Sequence, residues 1–278
     1  MTGFTGLPGS AGPWHGGAGT QRAFCVLAPN PGPMTLDGTN TWIIGEPNSG
    51  SVIVIDPGPD DPEHWAAVQS EVANRDATIG LVLLTHGHLD HSAGARMFAA
   101  NANCDVLALD QTHTLGSEGL VDGDVIDAAG AELRVIGTPG HSSDSLTFLL
   151  PADGALLTGD TVLGRGTTVV AHPDGVLADY LASLQRLREF AYEADLQMIL
   201  PGHGPTLDSP EVVLDAYLDH RERRLDQIRA ALAFLADEEL SAEALAQRVV
   251  EVVYADVPPS VWPAALLSVR AQLEHLLH

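Results

Sequence analysis

The segment Thr85-His86-Gly87-His88-Leu89-Asp90-His91 places three histidines and one carboxylate in a short loop, directly after the apolar run Ile79 to Leu84. Imidazole and carboxylate are the ligands that a cation such as zinc prefers in proteins. A buried strand that ends in this cluster would present the ligands from a rigid edge. The segment therefore predicts a metal site.

Three further segments show the same order of apolar run, sharp turn and polar side chain. Glycine and proline supply the turns, so each polar side chain is expected on a loop at a strand end. These side chains are His141 after Leu133 to Thr138, Asp160 after Ala155 to Gly159, and His203 after Met198 to Leu200. With the first cluster they make seven donors, enough for two metal ions that share a bridging carboxylate and a water. The pattern favours a hydrolytic centre with two metal ions.

The alternative interpretation is that these histidines follow strands by chance. Chance could explain any single histidine, such as His203. It explains poorly why four segments share the same pattern. The remaining histidines show no such spacing and are interpreted as exposed or incidental, with His172 as an exception. They are His15, His64, His113, His172, His220, His275 and His278.

The order of these motifs resembles the metallo-β-lactamase superfamily, whose members share an αββα sandwich with a dinuclear site at one edge. The resemblance implies His86, His88 and His141 as ligands of a first ion, Asp90, His91 and His203 as ligands of a second ion, and Asp160 as the bridge. An aspartate bridge is closer to the glyoxalase II and ribonuclease branches than to the antibiotic-hydrolysing class. Hydrolysis of β-lactams is therefore not expected.

Segments outside the ligands resemble a narrower branch, which includes the β-lactamase-like-protein-2 endoribonucleases and the fungal polyketide thioesterases. The resemblance runs from about Asn30 to the C-terminus and rests on Asn30 to Trp42, Gly159 to Val169, and Pro201 to Pro205. The chain departs from the animal members at Gly87 and Leu89, where larger polar residues are common, and in a longer loop, Val170 to Gly175. These departures leave the substrate open.

The composition is typical of a globular enzyme with one large domain and a small appendage, since 45% of the 278 residues are hydrophobic. Residues 1–22 are rich in glycine and proline and are predicted to form a flexible tail. Neither a signal peptide nor a membrane span is recognisable, and the two cysteines, Cys25 and Cys104, are expected to be buried and reduced. We therefore expect a cytoplasmic protein without a membrane partner.

The formal net charge is −24, and all 13 basic residues are arginine. Such a surface repels nucleic acid, because non-specific binding depends on cationic side chains that release phosphate counterions. The charge counts against long polynucleotides without excluding a short RNA. Two zinc ions would still leave the site locally positive toward an anionic or carbonyl oxygen.

Periodicity predicts an α/β protein in which two layers of sheet are flanked by helices. Ser92 is expected to cap a short helix through Ala100, with its positive end near the metal loop. Residues 23–207 are assigned to the sandwich domain. The predicted strands are Ala23 to Leu27, Thr41 to Ile44, Ser51 to Ile55, Ile79 to Leu84, Asp105 to Leu109, Glu132 to Gly137, Ser145 to Leu150 and Ala155 to Leu157.

From residue 208 to residue 278 the pattern is purely helical, with helices expected from Ser209 to Leu235, from Ser241 to Val253 and from Ser260 to Leu277. In the animal relatives this region resembles a winged helix. Here it holds six arginines against thirteen acidic residues, which disfavours docking of nucleic acid. We expect it to cover the mouth of the site or to pack between the subunits of a homodimer.

Two zinc ions would supply a bridging hydroxide at neutral pH that can attack a carbonyl carbon or a phosphorus, and manganese or iron could replace zinc. Asp90 is expected to orient the nucleophile or accept its proton as well as to bind metal. His172 is a candidate substrate contact at the mouth. Asn40 and Thr168 are weaker candidates, whose alternative role is to hold the loops.

Three functions fit these residues. The leading one is a zinc-dependent hydrolase acting on a thioester or another small acyl substrate. The second is a single-strand-specific endoribonuclease, which would use the same hydroxide. The third is a non-catalytic metal-binding regulatory protein, which is disfavoured because all seven ligand positions are filled.

Overall fold

The computed structural model describes residues 12–116, 118–256, 258 and 261–277, and this part of the chain contains two six-stranded sheets and seven α-helices. The first sheet comprises β1 (Gly17–Ala18), β2 (Ala23–Leu27), β3 (Asn40–Ile44), β4 (Ser51–Ile55), β5 (Thr78–Leu83) and β6 (Asp105–Leu107). The second sheet comprises β7 (Val125–Ala128), β8 (Ala131–Gly137), β9 (Leu146–Leu150), β10 (Ala155–Gly159), β11 (Met198–Pro201) and β12 (Leu207–Asp208). The helices are α1 (Pro62–Ala73), α2 (Leu89–Ser92), α3 (Ala95–Ala102), α4 (Leu177–Glu193), α5 (Pro210–Phe234), α6 (Ala242–Val253) and α7 (Trp262–Leu277).

Within each sheet the strands lie in sequence order. Most neighbours are antiparallel, but β4, β5 and β6 run parallel to one another, and so do β10 and β11. Because β9 is antiparallel to both β8 and β10, those two strands also share a direction. The carboxyl ends of β8, β10 and β11 therefore meet at one edge of the second sheet, just as those of β4 and β5 do in the first.

The strand β4 shows why the first sheet is apolar on both faces. Ile53 and Ile55 belong to the core between the sheets, whereas Val52 and Val54 pack with the buried residues of α1 and α3. Successive side chains of a strand point to opposite faces, so a strand that is covered on both sides must be apolar at nearly every position. The run Val52 to Ile55 meets this requirement without polar interruption.

The second sheet is covered in the same way. Leu157 of β10 faces the first sheet, while its neighbour Leu156 packs against α4 and the first half of α5. Helices thus lie on the outer faces of both sheets, which gives the αββα sandwich and confirms the expected fold class. Among the residues described, no helix is both long enough and apolar enough to span a membrane.

The helix α5 runs through two separate cores. Its first half contributes Val213 and Tyr217 to the outer core of the second sheet, whereas Ile228 and Ala231 pack with α6 and α7. The second sheet ends with β12 at Asp208, but the packing changes only between Leu225 and Ile228. Among the described residues from 209 onward only helices occur, so the C-terminal region is helical as expected.

Two local predictions differ from the structure. Ser92 does not cap a helix; it is the last residue of α2, and its hydroxyl donates to the carbonyl of Gly87. The next helix, α3, begins after Gly94, whose N–H donates to the carbonyl of Gly58. The N-terminus of α3 therefore lies against the 57–59 turn. The strands β1, β7 and β12 were not predicted, because they are short and lack an apolar run.

The predicted N-terminal tail also needs correction. Residues 1–11 lie outside the described part of the chain, but residues from Gly12 onward contact the sandwich. The strand β1 pairs with β2, and the indole of Trp14 donates to Asn40 Oδ1 at 2.8 Å. Arg165 donates to the carbonyl of Gly12 at 2.6 Å. An aromatic side chain that finds both an apolar surface and a hydrogen-bond acceptor holds this segment in place.

His64 and His220 are buried, contrary to the expectation that they are exposed or incidental. His64 Nε2 lies 2.8 Å from the hydroxyl of Thr41, which itself donates to the carbonyl of Asp56. The Thr41 hydroxyl proton is thus already used, so His64 donates to it. Burial lowers the pKa of His64 to about 4, against an effect of Asp61 that raises it.

The buried imidazole of His64 predicts a loss of stability in acid. Its folded-state pKa of about 4 lies below the ordinary value of 6.5, so stability is complete above pH 6.5 and is lost as the pH falls toward 4. That difference corresponds to about 3 kcal/mol. We expect urea unfolding of His64→Gln to depend less on pH over this range by about that amount. His275→Gln, which changes an exposed histidine, should follow the wild type, and an unchanged pH slope in His64→Gln would contradict the assignment.

The hydroxyl of Tyr217 ties α5 to the loop that follows Asp160. It accepts from the N–H of Leu163 at 2.8 Å and lies 3.1 Å from the carbonyl of the same residue. Tyr217→Phe leaves this buried N–H without a partner, so we expect a loss of about 1–3 kcal/mol in the free energy of unfolding. The matched control is Tyr192→Phe on the exposed surface of α4, which should cost less than about 0.5 kcal/mol. Equal losses in the two variants would show that the buried hydrogen bonds contribute nothing.

Candidate metal centre

The seven side chains predicted as ligands all lie at one edge of the sandwich. The loop from His86 to His91 follows β5, and the other three residues follow strands that share a direction: His141 after β8, Asp160 after β10 and His203 after β11. Backbone hydrogen bonds join the sheets beside them, from Leu146 N to Thr85 O at 2.7 Å and from Asn40 N to Gly202 O at 2.8 Å. The strand directions thus bring together residues that are far apart in the sequence.

His86, His88 and His141 form the first group that could hold a metal ion. His88 Nδ1 lies 3.0 Å from His86 Nε2 and 3.0 Å from His141 Nε2. Two nitrogens bound tetrahedrally to one zinc ion lie about 3.3–3.5 Å apart, given Zn–N bonds of about 2.0–2.1 Å. The observed spacing is close to this value.

Asp90, His91 and His203 form a second group. His203 Nε2 lies 3.2 Å from both His91 Nε2 and Asp90 Oδ2. His91 and His203 are fully buried, whereas the side chain of Asp90 is 31% exposed. This group is therefore accessible from the side of Asp90.

Asp160 lies between the two groups. Its Oδ1 is 3.4 Å from both His91 Nε2 and His203 Nε2, and its Oδ2 is 3.7 Å from His141 Nε2. Oδ1 is buried without a hydrogen-bond partner, although a buried carboxylate oxygen normally has one. Each oxygen of this carboxylate thus faces a different set of imidazoles.

In three histidines, the ring nitrogen that faces away from the cluster (the outer nitrogen) has a hydrogen-bond acceptor. This fixes the other ring nitrogen, which faces into the cluster (the inner nitrogen), as the one that can bind a cation. His91 Nδ1 lies 2.8 Å from Asp56 Oδ2, His141 Nδ1 lies 2.9 Å from the carbonyl of Val169, and His203 Nδ1 lies 3.1 Å from the carbonyl of Gly38. A nitrogen that faces an acceptor carries the proton, so in the neutral imidazole the opposite nitrogen presents its lone pair. All three lone pairs point into the cluster.

The hydroxyl of Thr85 fixes the tautomer of His86 in the same way. The hydroxyl of Thr85 donates to Asp56 Oδ2 at 2.7 Å and lies 3.0 Å from His86 Nδ1. Since its single proton goes to Asp56, the hydroxyl accepts from the Nδ1–H of His86. The Nε2 of His86 therefore also presents a lone pair to the centre, and the donor set fits a divalent cation.

The charges of the cluster are strongly coupled. Burial lowers the pKa of His86 well below its ordinary value, and His91 lowers it further. Burial opposes charge on His203 as well, but Asp160 and the hydrogen bond to Asp90 together outweigh burial and raise the pKa of His203 to about 9. Burial alone would raise the pKa of Asp90, but the hydrogen bond to His203 and the charge of His91 hold it below its usual value. Asp90 is therefore ionised at neutral pH and can accept a proton.

Asp56 and Thr85 were not predicted as site residues, yet they hold two of the imidazoles. Asp56 accepts from Thr85 N at 2.8 Å in addition to its bonds to His91 and the Thr85 hydroxyl. It follows β4 directly, so the pattern of apolar strand and terminal carboxylate that identified Asp160 could also have identified Asp56. It was missed because no histidine stands next to it in the sequence.

The residue before His203, Gly202, must be a glycine, because Asp160 and His91 lie very close to its Cα. A Cβ at this position would lie 2.7 Å from Asp160 Oδ1 and 2.8 Å from His91 Cε1. Both distances are shorter than van der Waals contact. The turn before His203 must therefore lack a side chain.

Of the three predicted substrate contacts, Asn40 and Thr168 are buried and hold loops. The amide of Asn40 donates to the carbonyls of Pro201 and Gly204, and the hydroxyl of Thr168 donates to the carbonyl of Asp160 at 2.7 Å. His172 is partly exposed, and its Nδ1 lies 2.8 Å from Glu274 of α7. A direct contact of these three residues with substrate stays a prediction.

The exposed side of the loop carries groups that were not assigned a role. A Cβ at Gly87 would lie 2.6 Å from His113 Nε2 and 3.1 Å from Asp144 Oδ2, so both side chains crowd this glycine. Leu89, two positions further along the loop, is 74% exposed. Gly87 and Leu89, where the sequence resemblance departs from the animal members, thus lie in the loop that carries His86, His88 and Asp90.

Comparison with known proteins identifies the family. A sequence model of the metallo-β-lactamase superfamily matches residues 34–203, which include all seven of these side chains. The chain belongs to the metallo-β-lactamase superfamily. As a member it is a hydrolase with a metal-binding site. Residues 246–278 match a β-lactamase associated winged helix domain.

Relatives of this superfamily member cover nearly its whole length. A β-lactamase-like protein 2 homolog of Drosophila melanogaster is 32% identical over 273 residues, which cover 92% of this chain and 88% of the relative. An atrochrysone carboxyl ACP thioesterase of Aspergillus fumigatus is 33% identical over 252 residues, which cover 87% of this chain and 76% of the relative. A β-lactamase domain protein of Burkholderia ambifaria has the same fold, with a TM-score of 0.77 at 20% identity over 98% of this chain and 91% of that one.

Asp56 orients His91 but is not itself a predicted metal ligand. Substitution of Asp56 should therefore lower the metal affinity although all seven predicted ligands remain. Asp56→Asn replaces one acceptor oxygen by a donor and so disturbs the orientation of His91. We expect the affinity for zinc to fall by about 10–100-fold, as for other residues that orient metal ligands. Competition with a chromophoric chelator measures the change. The control Asp127→Asn removes an exposed carboxylate of β7 and should bind zinc as the wild type does; equal affinity in both variants would exclude this role of Asp56.

Proposed function

We propose that the chain is a dinuclear zinc-dependent hydrolase that acts on a thioester or another small acyl substrate. In this proposal His86, His88 and His141 bind one ion, Asp90, His91 and His203 bind the other, and Asp160 bridges them. Zinc suits a mixed imidazole and carboxylate donor set, and manganese or iron could replace it.

The position of Asp160 is the observation that carries the proposal of two ions. One oxygen of its carboxylate faces His91 and His203, and the other faces His141. The unpaired oxygen Oδ1 has imidazole nitrogens on one side and no hydrogen-bond donor. A carboxylate shared by two cations would satisfy both oxygens.

Bound ions of this kind supply an activated water and polarise the scissile carbonyl. The residues of the chain do the rest of the work. Asp90 is ionised, adjoins His203 and is partly exposed, so it can orient a nucleophilic water and accept its proton. Asp56 and Thr85 keep His91 and His86 in the tautomers that leave the inner nitrogens unprotonated.

The arginines favour an acyl substrate over RNA. In the described part of the chain nine of the thirteen arginines pair with carboxylates, on the sandwich as well as on the helical domain. Arginines engaged in this way cannot form the free basic face that phosphate contacts need. A relative that carries thioesterase in its name supports the same choice.

The bridging role of Asp160 predicts the metal content. The wild type should bind about two equivalents of zinc per chain, whereas Asp160→Ala should bind one or none, because a single carboxylate serves both ions. Elemental analysis after dialysis measures the content. Asp127→Ala should retain the wild-type content. A folded wild type that stays metal-free after incubation with zinc would refute the proposal.

The dependence of activity on salt concentration distinguishes the two enzymatic functions. A nuclease that depends on several phosphate contacts loses at least about tenfold in affinity between low and moderate salt, whereas recognition of an acyl group in an apolar pocket changes little. We therefore expect kcat/KM for an acyl thioester to change by less than about twofold between 50 and 200 mM salt. The zinc-loaded protein is assayed with acyl-CoA, S-acylglutathione and single-stranded RNA at both ionic strengths. His88→Ala should lack each activity that belongs to this centre.

RNA cleavage that is lost in His88→Ala and falls steeply with salt, together with negligible thioester hydrolysis, would contradict the acyl proposal and favour the endoribonuclease. Turnover that survives both chelation and the His88 substitution would exclude hydrolysis at this centre.

A further inference from the structure

A cavity lies between the sandwich and the helical domain. Its volume is about 240 Å³, and it is lined by the 167–169 loop, by α5 and by α7. Arg221 and Arg224 line it from α5, and Ser268 and Gln272 line it from α7. None of these four side chains was assigned a role in the metal centre.

The charge of this cavity is opposite to that of the chain. Two guanidinium groups line it, and among the described residues of its wall none is acidic, although the chain carries a net charge of −24. His220 in the same wall adds no charge at neutral pH, because burial and the neighbouring Arg221 and Arg224 lower its pKa to about 4. The cavity is therefore a local site of positive potential.

Two polar atoms in the wall are buried without partners. Arg221 and Gln272 are 4% and 3% exposed, and neither Arg221 Nε nor Gln272 Oε1 has a hydrogen-bond partner. The guanidinium of Arg221 cannot turn away to find one. Its Nη2 donates to the carbonyl of Thr168 at 2.5 Å, and its Cζ lies 4.8 Å from the centre of the Tyr180 ring. Buried polar atoms normally have partners, so a fixed donor without one indicates a missing acceptor.

We propose that this cavity binds a small oxyanion, a carboxylate or a phosphate group, which accepts from Arg221 and Arg224. A hydroxyl or N–H on the same molecule would donate to Gln272 Oε1. Planar guanidinium groups recognise both kinds of anion through paired N–H donors. The site is separate from the metal centre and goes beyond the proposed acyl hydrolysis.

The cavity shares two residues with the surroundings of the metal centre. Thr168, whose carbonyl accepts from Arg221, donates its hydroxyl to the carbonyl of Asp160. Val169, also in the cavity wall, accepts from His141 Nδ1. An anion held by Arg221 would thus contact the loop that orients Asp160 and His141.

Calorimetric titration of the zinc-loaded protein tests this proposal, with inorganic phosphate and acetate as separate probes at constant ionic strength. We expect one of the two to bind the wild type, and Arg224→Gln to weaken that binding by about tenfold or more. Arg223→Gln removes an exposed arginine one position away and should bind as the wild type does. Both variants keep the metal ligands, so anion binding to zinc contributes equally to both.

Arg221→Lys provides a second variant, since it keeps the charge but loses Nε. It should weaken the same binding. Binding of phosphate alone or acetate alone identifies the anion class. Absence of binding by both probes at about 20 mM, or equal affinity in Arg224→Gln and Arg223→Gln, would overturn the proposal.

Discussion

Five imidazoles and two carboxylates converge on one small volume at the edge of two buried sheets. In the neutral rings of His91, His141 and His203 the inner nitrogens carry lone pairs, because the outer nitrogens are protonated toward Asp56, Val169 and Gly38. With all of these rings neutral, the acceptors would repel one another without a donor between them, which is why His203 keeps a proton at neutral pH when no cation is bound. A divalent cation removes this repulsion.

The directions of the strands make the convergence possible. Two parallel pairs, β4 with β5 and β10 with β11, place their carboxyl ends at the same edge. The sheets are joined there by backbone bonds and by the amide of Asn40, which donates to the carbonyls on both sides of the Gly202–His203 turn. The centre therefore depends on the packing between the sheets. It also depends on helix α5, because Tyr217 and Arg221 of this helix bind Leu163 and Thr168 in the loop that follows Asp160.

Much of this arrangement could be predicted from the sequence because it is local. A turn of glycine or proline after an apolar run places one polar residue at a strand end, and this pattern is visible for His141, Asp160 and His203. Features that depend on distant contacts were not visible. Asp56 acts through His91, which lies 35 positions away, and the burial of His64 and His220 follows from packing rather than from spacing. Trp14 is ordered because Asn40 accepts its indole N–H, which no local pattern indicates.

Anomalous diffraction at the zinc edge, from crystals of the zinc-loaded protein, tests the proposed dinuclear centre most directly because it locates each ion. Two peaks are predicted, one among His86, His88 and His141 and the other among Asp90, His91 and His203, with an oxygen of Asp160 next to each. A single peak, or ions bound elsewhere in the chain, would contradict a centre in which Asp160 is shared by two ions.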